Sequence, residues 1–102
     1  MTNEGAIGAV QAALADLENA FGAAIQAIHA EPDHNRAYSD ATELVETLRR
    51  LFEASADQRA LSAARIFREE EMSLAELGGR IGVSKARAAQ LIKSARDINS
   101  PA

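Results

Sequence analysis

One stretch of the chain, SLAELGGRIGVSKARAAQLIKSAR, contains two helix start signals with a glycine between them. Ser73 followed by Glu76 has the form of a capping box, in which each side chain accepts a hydrogen bond from a backbone N–H of the first turn. Ser84 is a second N-cap residue. Gly82 can take the left-handed conformation that ends a helix and turns the chain. The pattern predicts a short helix, a sharp turn and a second helix, over residues 74–81 and 85–96.

Both predicted helices have an apolar face. In the first, Leu77 and Ile81 lie four residues apart and therefore on one side. Gly78 lies four residues before Gly82, where we expect the helices to cross closely, so a larger side chain would separate them. Gly79 is expected to face solvent, or else to make the helix less regular at this point. The second helix repeats apolar residues at helical spacing, and these are Ala88, Leu91, Ile92 and Ala95.

The other side of the second helix is cationic. Residues 84–96 contain four cations and no acid, although the whole protein has a net charge of −4. Small residues leave room for a base edge, an amide matches adenine, and Lys or Arg match guanine or phosphate. We therefore predict a DNA-contacting surface in which Gln90 is the best candidate for base reading. Its members are Ser84, Lys85, Ala86, Arg87, Ala89, Gln90, Lys93, Ser94 and Arg96, with Arg80 from the preceding helix and Arg65 and Arg68 as further phosphate contacts.

This segment resembles the helix-turn-helix of bacterial transcription regulators, including the domain with which sigma factors read promoter elements. The run IGVSKARAAQLI is similar to small regulators of high-GC actinobacteria in particular. The resemblance implies a recognition helix over residues 85–96 that lies in the major groove. From the residues alone, the alternative is a pair of helices whose basic face is only solvated. The resemblance is carried by Leu77, Gly78, Ile81, Gly82, Val83, Ala88 and Leu91.

The charge is divided unevenly along the chain. Residues 1–58 hold three Arg and ten acids, a net charge of −7, whereas residues 59–102 hold eight cations and five acids, a net charge of +3. DNA responds to the local field of a protein more than to its net charge. The acidic front half is therefore expected to lie away from the duplex.

The front half has two apolar stripes. Steps of three and four residues continue through a predicted helix over residues 4–30, and again from Tyr38 onwards. Pro32 and its polar neighbours break the pattern, and the next helix is expected to begin between Asp33 and Asp40. We predict an antiparallel hairpin that also pairs two copies of the chain. The predicted dimerisation residues are Ile7, Val10, Leu14, Leu17, Phe21, Ile28, Val45, Leu48 and Phe52.

These predictions combine into an all-α fold. A dimerising helical hairpin over residues 1–56 precedes a three-helix helix-turn-helix unit over residues 57–98, and residues 99–102 form a disordered tail. Ser55 with Gln58 offers an N-cap for the first helix of that unit, although one continuous helix from Asp40 to Glu70 is an open alternative. Three acids in a row, residues 69–71, indicate fraying or a turn. The residues expected to pack over the last two helices are Leu61, Ala64, Ile66 and Phe67.

Several function classes find no support in the sequence. The chain has no Cys and only two His. Glu31, Asp33 and His34 could bind a metal ion, but such residues are common in polar turns, so we expect no metal, no cofactor and no enzyme. We see no signal peptide and no apolar stretch near about 18 residues, which favours a cytoplasmic, nucleoid-associated protein without membrane contact.

The leading hypothesis is a homodimeric transcription regulator, a repressor, that binds double-stranded DNA. The alternative is a protein-interaction module whose acidic hairpin binds a sigma factor or an RNA polymerase subunit.

Overall fold

The computed structural model describes the backbone of residues 3–100 and the side chains of residues 8–100. That part of the chain forms four helices and no strand, which confirms the all-α fold class. Its helices are α1 (Asn3–Ala30), α2 (His34–Glu69), α3 (Leu74–Ile81) and α4 (Lys85–Asn99). None of them, over the described range, combines the length and the hydropathy needed to cross a membrane. The chain divides into two units, the first ending at Thr47 and the second beginning at Leu48.

The connection between α1 and α2 is three residues long, and Asp33 sets where α2 begins. Its Oδ1 accepts hydrogen bonds from the backbone N–H groups of Asn35 and Arg36, at 3.0 and 3.2 Å. These donors have no partner within the helix, so the carboxylate caps it. α2 therefore begins at the early end of the expected range, and Asp40 lies inside the helix.

The apolar stripe of α1 is largely exposed. Val10 and Leu17 expose 58% and 54% of their surface, and Leu14 and Phe21 nearly as much. Ile28 is half-buried and lines a cleft in the first unit that is also formed by Ala24 of α1 and Leu44 of α2. Apart from this end, the stripe is exposed over the part of α1 whose side chains are described. The side chain of Ile7 lies outside the described residues.

The corresponding residues of α2 are exposed as well. Phe52 exposes 69% of its surface, Val45 52% and Leu48 40%. Single exposed apolar residues are ordinary on protein surfaces, but a helix-spaced series of large ones is typical of an interaction surface.

No helix starts at Ser55, which corrects one of our predictions. α2 continues without a break through this position, and the Ser55 hydroxyl donates a hydrogen bond to the carbonyl oxygen of Leu51 at 2.7 Å. A serine inside a helix commonly satisfies its hydroxyl in this way. The open alternative of one continuous helix is therefore the observed arrangement.

α2 ends in a turn within the three-acid run. The N–H of Met72 donates to the carbonyl of Phe67 at 3.2 Å, and the N–H of Glu71 donates to that of Arg68 at 3.4 Å. This pair of bonds is the Schellman motif, which needs a left-handed residue after the helix. Glu71 takes that conformation with φ 50°, although glycine is the usual residue there. The expected turn at residues 69–71 is thus confirmed.

The second unit has a core of small side chains. Ala60, Ala63 and Ala64 of α2 are buried against Leu91 and Ala95 of α4. These two helices therefore meet here through small side chains around Leu91. Ala64 was expected in this contact, whereas Ala60 and Ala63 were missed. Ala60 lies three residues before Ala63 and four before Ala64, and this helical spacing is the signal that identifies them. Partly buried side chains packed against the core are Leu61, Ile81 and Ile92.

α4 is longer than expected. Ile98 and Asn99, which we expected at the edge of a disordered tail or within it, belong to this helix, which ends at the cap residue Ser100. Residues 101–102 lie outside the described part of the chain.

Candidate nucleic-acid interface

α3 begins with the predicted capping box. The N–H of Glu76 donates to the Ser73 hydroxyl at 3.1 Å, and the N–H of Ser73 donates to Glu76 Oε1 at 2.8 Å. The hydrogen bond from the Ser73 backbone holds the pKa of the Glu76 carboxyl below its ordinary value. Leu77, in the next position, is fully buried. The box therefore fixes both the start of α3 and the face that it turns inward.

The turn after α3 depends on two glycines. Gly82 has φ 77°, a left-handed conformation that L side chains rarely adopt, and the N–H of Val83 donates to the carbonyl of Gly78 at 2.9 Å. A Cβ atom on Gly78 would lie 2.7 Å from the carbonyl oxygen of Val83 and 3.3 Å from backbone atoms of Ser84. Gly78 therefore lets the backbone of the turn at Val83 and Ser84 approach α3, where we had expected a close crossing of the two helices. Gly79 is exposed and has open space around it.

α4 starts directly after this turn. The Ser84 hydroxyl accepts a hydrogen bond from the N–H of Arg87 at 3.0 Å, which is the predicted N-cap. Ala88, Leu91 and Ala95 are buried, so the side of α4 turned away from them faces solvent. Ala89 is half-buried. The exposed members of the predicted DNA surface on this segment are Ser84, Lys85, Ala86, Arg87, Gln90, Lys93, Ser94 and Arg96.

The exposed side of α4 is positively charged. Within the described residues, none of the four cations at positions 85–96 has a carboxylate partner. Arg87 Nη1 lies 3.5 Å from Gln90 Oε1, the long limit of a hydrogen bond. The amide nitrogen of Gln90 has no partner in the described structure. Two neighbours of Gln90 on the helix surface are the small Ala86 and the long Lys93.

Arg80, which we predicted as a DNA contact, forms an ion pair with Glu70 of the same chain. Its Nη1 donates to Glu70 Oε2 at 3.0 Å and its Nη2 donates to Glu70 Oε1 at 2.7 Å. This bidentate pair lowers the pKa of the Glu70 carboxyl and raises that of the Arg80 guanidinium. The pair joins α3 to the turn after α2, so Arg80 brings little net positive charge to the surface.

Asp97 is an acid on the exposed side of α4 that the predicted DNA surface did not include. At 100° per residue this exposed acid lies on the same side of α4 as Gln90 and Lys93, one turn beyond Lys93. A carboxylate there repels phosphate. The part of α4 suited to an anionic partner is therefore its first three turns. The helical spacing of Asp97 from Gln90 and Lys93 was the signal in the sequence that places this acid on the same face.

The acids of the first connection have structural partners. Asp33 caps α2, as described above. Glu31 Oε2 accepts a hydrogen bond from the backbone N–H of Asp33 at 3.0 Å. No group of three potential metal ligands occurs in the described part of the chain.

No protein-family model matches the chain, and neither the curated proteins nor the solved structures give a significant match. What this surface can do therefore follows from its own residues.

Proposed function

We propose that the chain is a sequence-specific DNA-binding transcription regulator, a repressor, that acts in the cytoplasm as a homodimer. α4 is the recognition helix, and its exposed face enters the major groove. The observation that carries this proposal is the division of α4 into a buried apolar side and an exposed side with four cations that have no carboxylate partner in the described structure. The role is one of binding, without catalysis.

The residues of that face have separate tasks. Gln90 presents an amide that can bond both the N6 and N7 atoms of adenine, and Ala86 leaves space for the base edge. Lys85 and Lys93 neutralise phosphates and thereby release counterions, which makes binding depend on salt. The resemblance to helix-turn-helix regulators supports the same assignment.

The exposed stripes on α1 and α2 support the homodimer. A single recognition helix contacts few base pairs, whereas two related by a twofold axis double the contacts on a palindromic site. The two half-sites are then expected roughly 34 Å apart, which is one turn of DNA. Acids outnumber cations in residues 1–58, so the pairing surface avoids DNA.

The experiment that tests this function is a fluorescence titration of genomic DNA fragments at several salt concentrations. Binding is expected to tighten steeply below about 50 mM salt, with a slope that falls by about 1 in Lys93→Ala. The double variant Gln90→Ala with Lys93→Ala is expected to lose specific binding. Its control is Gln11→Ala with Arg36→Ala, which removes an amide and a cation from the first unit. Absence of binding at low salt, or equal binding by both double variants, would contradict the proposal.

A second candidate uses the exposed apolar stripe differently. The acidic first unit would bind a protein such as a sigma factor or an RNA polymerase subunit, and the α3–α4 pair would be structural. The observation that favours it is the exposure of large apolar side chains beside an excess of acids. This candidate function would be favoured if the chain recovers a stoichiometric protein partner and shows no affinity for DNA.

A further inference from the structure

A cleft of about 260 Å³ lies within the second unit, between α2, α4 and the turn after α3. Ala63 and Leu91 are its buried apolar residues, and Ile66, Ile81 and Val83 are half-buried around them. The remaining lining residues are Ser62 and two arginines, Arg59 and Arg87, and none is acidic.

We propose that this cleft binds small monocarboxylates with an apolar body. An apolar surface favours a hydrophobic ligand, and guanidinium groups favour a carboxylate because their forked donors match its two oxygens. In the described structure, neither Arg59 nor Arg87 is paired with an acid of the chain. The volume is just below the range of roughly 300–1,000 Å³ for drug-sized ligands, so the ligand is smaller than these.

A second cleft in the same unit provides an internal comparison. It is also flanked by two arginines, Arg68 and Arg96, and has a volume of about 400 Å³. Its lining includes Asn99 and Ser100 at the end of α4. These polar groups make it the poorer site for an apolar body, so we expect the ligand in the first cleft.

Ligand binding at Arg87 would also oppose DNA binding, and this consequence rests on the proposed function. Arg87 lies in the first turn of α4, and its guanidinium approaches Gln90 at 3.5 Å. A carboxylate on Arg87 would neutralise one cation of the DNA-facing helix and draw the guanidinium toward the cleft. The ligand would then act as an inducer that releases the regulator from its site.

The test of the site is a methyl NMR titration of the full chain with phenylacetate and with octanoate. We expect saturable shifts of the Ile66, Ile81, Val83 and Leu91 methyl groups, with a Kd of about 1 mM or tighter. The neutral 2-phenylethanol is expected to bind about tenfold more weakly than phenylacetate, because it loses a charge-assisted hydrogen bond.

Two matched variants test which of the two clefts binds the carboxylate group of the ligand. Arg59→Gln is expected to weaken phenylacetate binding about tenfold, whereas Arg68→Gln, which changes the second cleft, is expected to leave it unchanged. Both side chains are exposed, so the fold can be checked by the unchanged shifts of remote methyl groups. The proposed site would be overturned if neither carboxylate saturates the chain below about 10 mM. It would also be overturned if the alcohol binds as tightly as phenylacetate, or if the two variants have equal effects.

A DNA titration with and without phenylacetate tests the coupling separately. The carboxylate is expected to weaken DNA binding by the wild-type chain and to have less effect on Arg59→Gln. Carboxylate binding with unchanged DNA affinity would overturn the coupling and leave the site standing. Carboxylate binding by a chain that never binds DNA would instead refute the proposed function alone.

Discussion

The Arg80 guanidinium and the Glu70 carboxylate form a bidentate ion pair whose shorter contact is 2.7 Å, and both side chains are 48% exposed. The pair spans the turn between α2 and α3. It therefore links the supporting helix to the α3–α4 pair at a point where the backbone has already left the helical conformation.

This pair predicts a pH-dependent coupling. The folded pKa of Glu70 is lowered from 4.5, so the pair's contribution is fully present above that pH and is lost as the pH falls through the lowered value. A double-mutant cycle with Glu70→Gln and Arg80→Gln, followed by urea unfolding, is expected to show coupling near neutral pH. The coupling should disappear well below pH 4.5 and weaken in high salt. A coupling that does not change with pH would contradict this account.

Two adjacent glycines of α3 should respond oppositely to the same substitution. Gly78→Ala is expected to lower the free energy of unfolding by ~1–3 kcal/mol, because its Cβ would lie 2.7 Å from the Val83 carbonyl oxygen. Gly79→Ala has open space and is expected to raise it by up to about 1 kcal/mol. Thermal unfolding of both variants measures the difference. Similar effects at the two positions would mean that the turn does not approach α3 closely.

Glu71 is the position where glycine should stabilise the protein. Its left-handed backbone is unfavourable for a residue with a side chain, so Glu71→Gly is expected to raise the free energy of unfolding by about 1 kcal/mol. Glu69→Gly removes the same charge from the last helical residue of α2 and is expected to destabilise by ~0.5–1 kcal/mol. Chemical denaturation of both variants gives the comparison, and destabilisation by Glu71→Gly would contradict the Schellman assignment.

If the proposed DNA binding is right, removing the charge of Asp97 should raise the affinity for DNA. Asp97→Asn removes a carboxylate from the exposed side of α4 and is expected to raise DNA affinity about two- to fivefold at low salt. Asp16→Asn changes the net charge equally but lies on α1, so it is expected to have little effect. Anisotropy titrations at two salt concentrations compare them. Equal gains would show that only the net charge of the protein matters.

The exposed stripe of α1 predicts which substitution would disrupt the proposed homodimer. Leu17→Glu places a charge within the stripe and is expected to weaken self-association more than tenfold, because an unpaired charge would be buried at the interface. Asn19→Glu adds the same charge about half a turn around the helix and should leave association unchanged. Sedimentation equilibrium distinguishes the two. A wild-type chain that is monomeric at high concentration would refute the homodimer.

The all-α class and the local geometry of the candidate site could be predicted from the residues alone. The capping box at Ser73, the glycine turn at Gly82 and the cap at Ser84 were all predictable, because each signal is satisfied by partners within a few residues. The inward face of α4 followed from its helical spacing.

Other features could not be predicted, because they depend on contacts between parts of the chain that are distant in sequence. Ser55 can cap a helix or bond back inside one, so its local pattern left both arrangements open, and the structure shows the second. The partner of Arg80 lies ten residues away, beyond any local pattern. Whether a stripe is covered depends on packing between helices, and here Val10, Leu17 and Phe52 are left exposed.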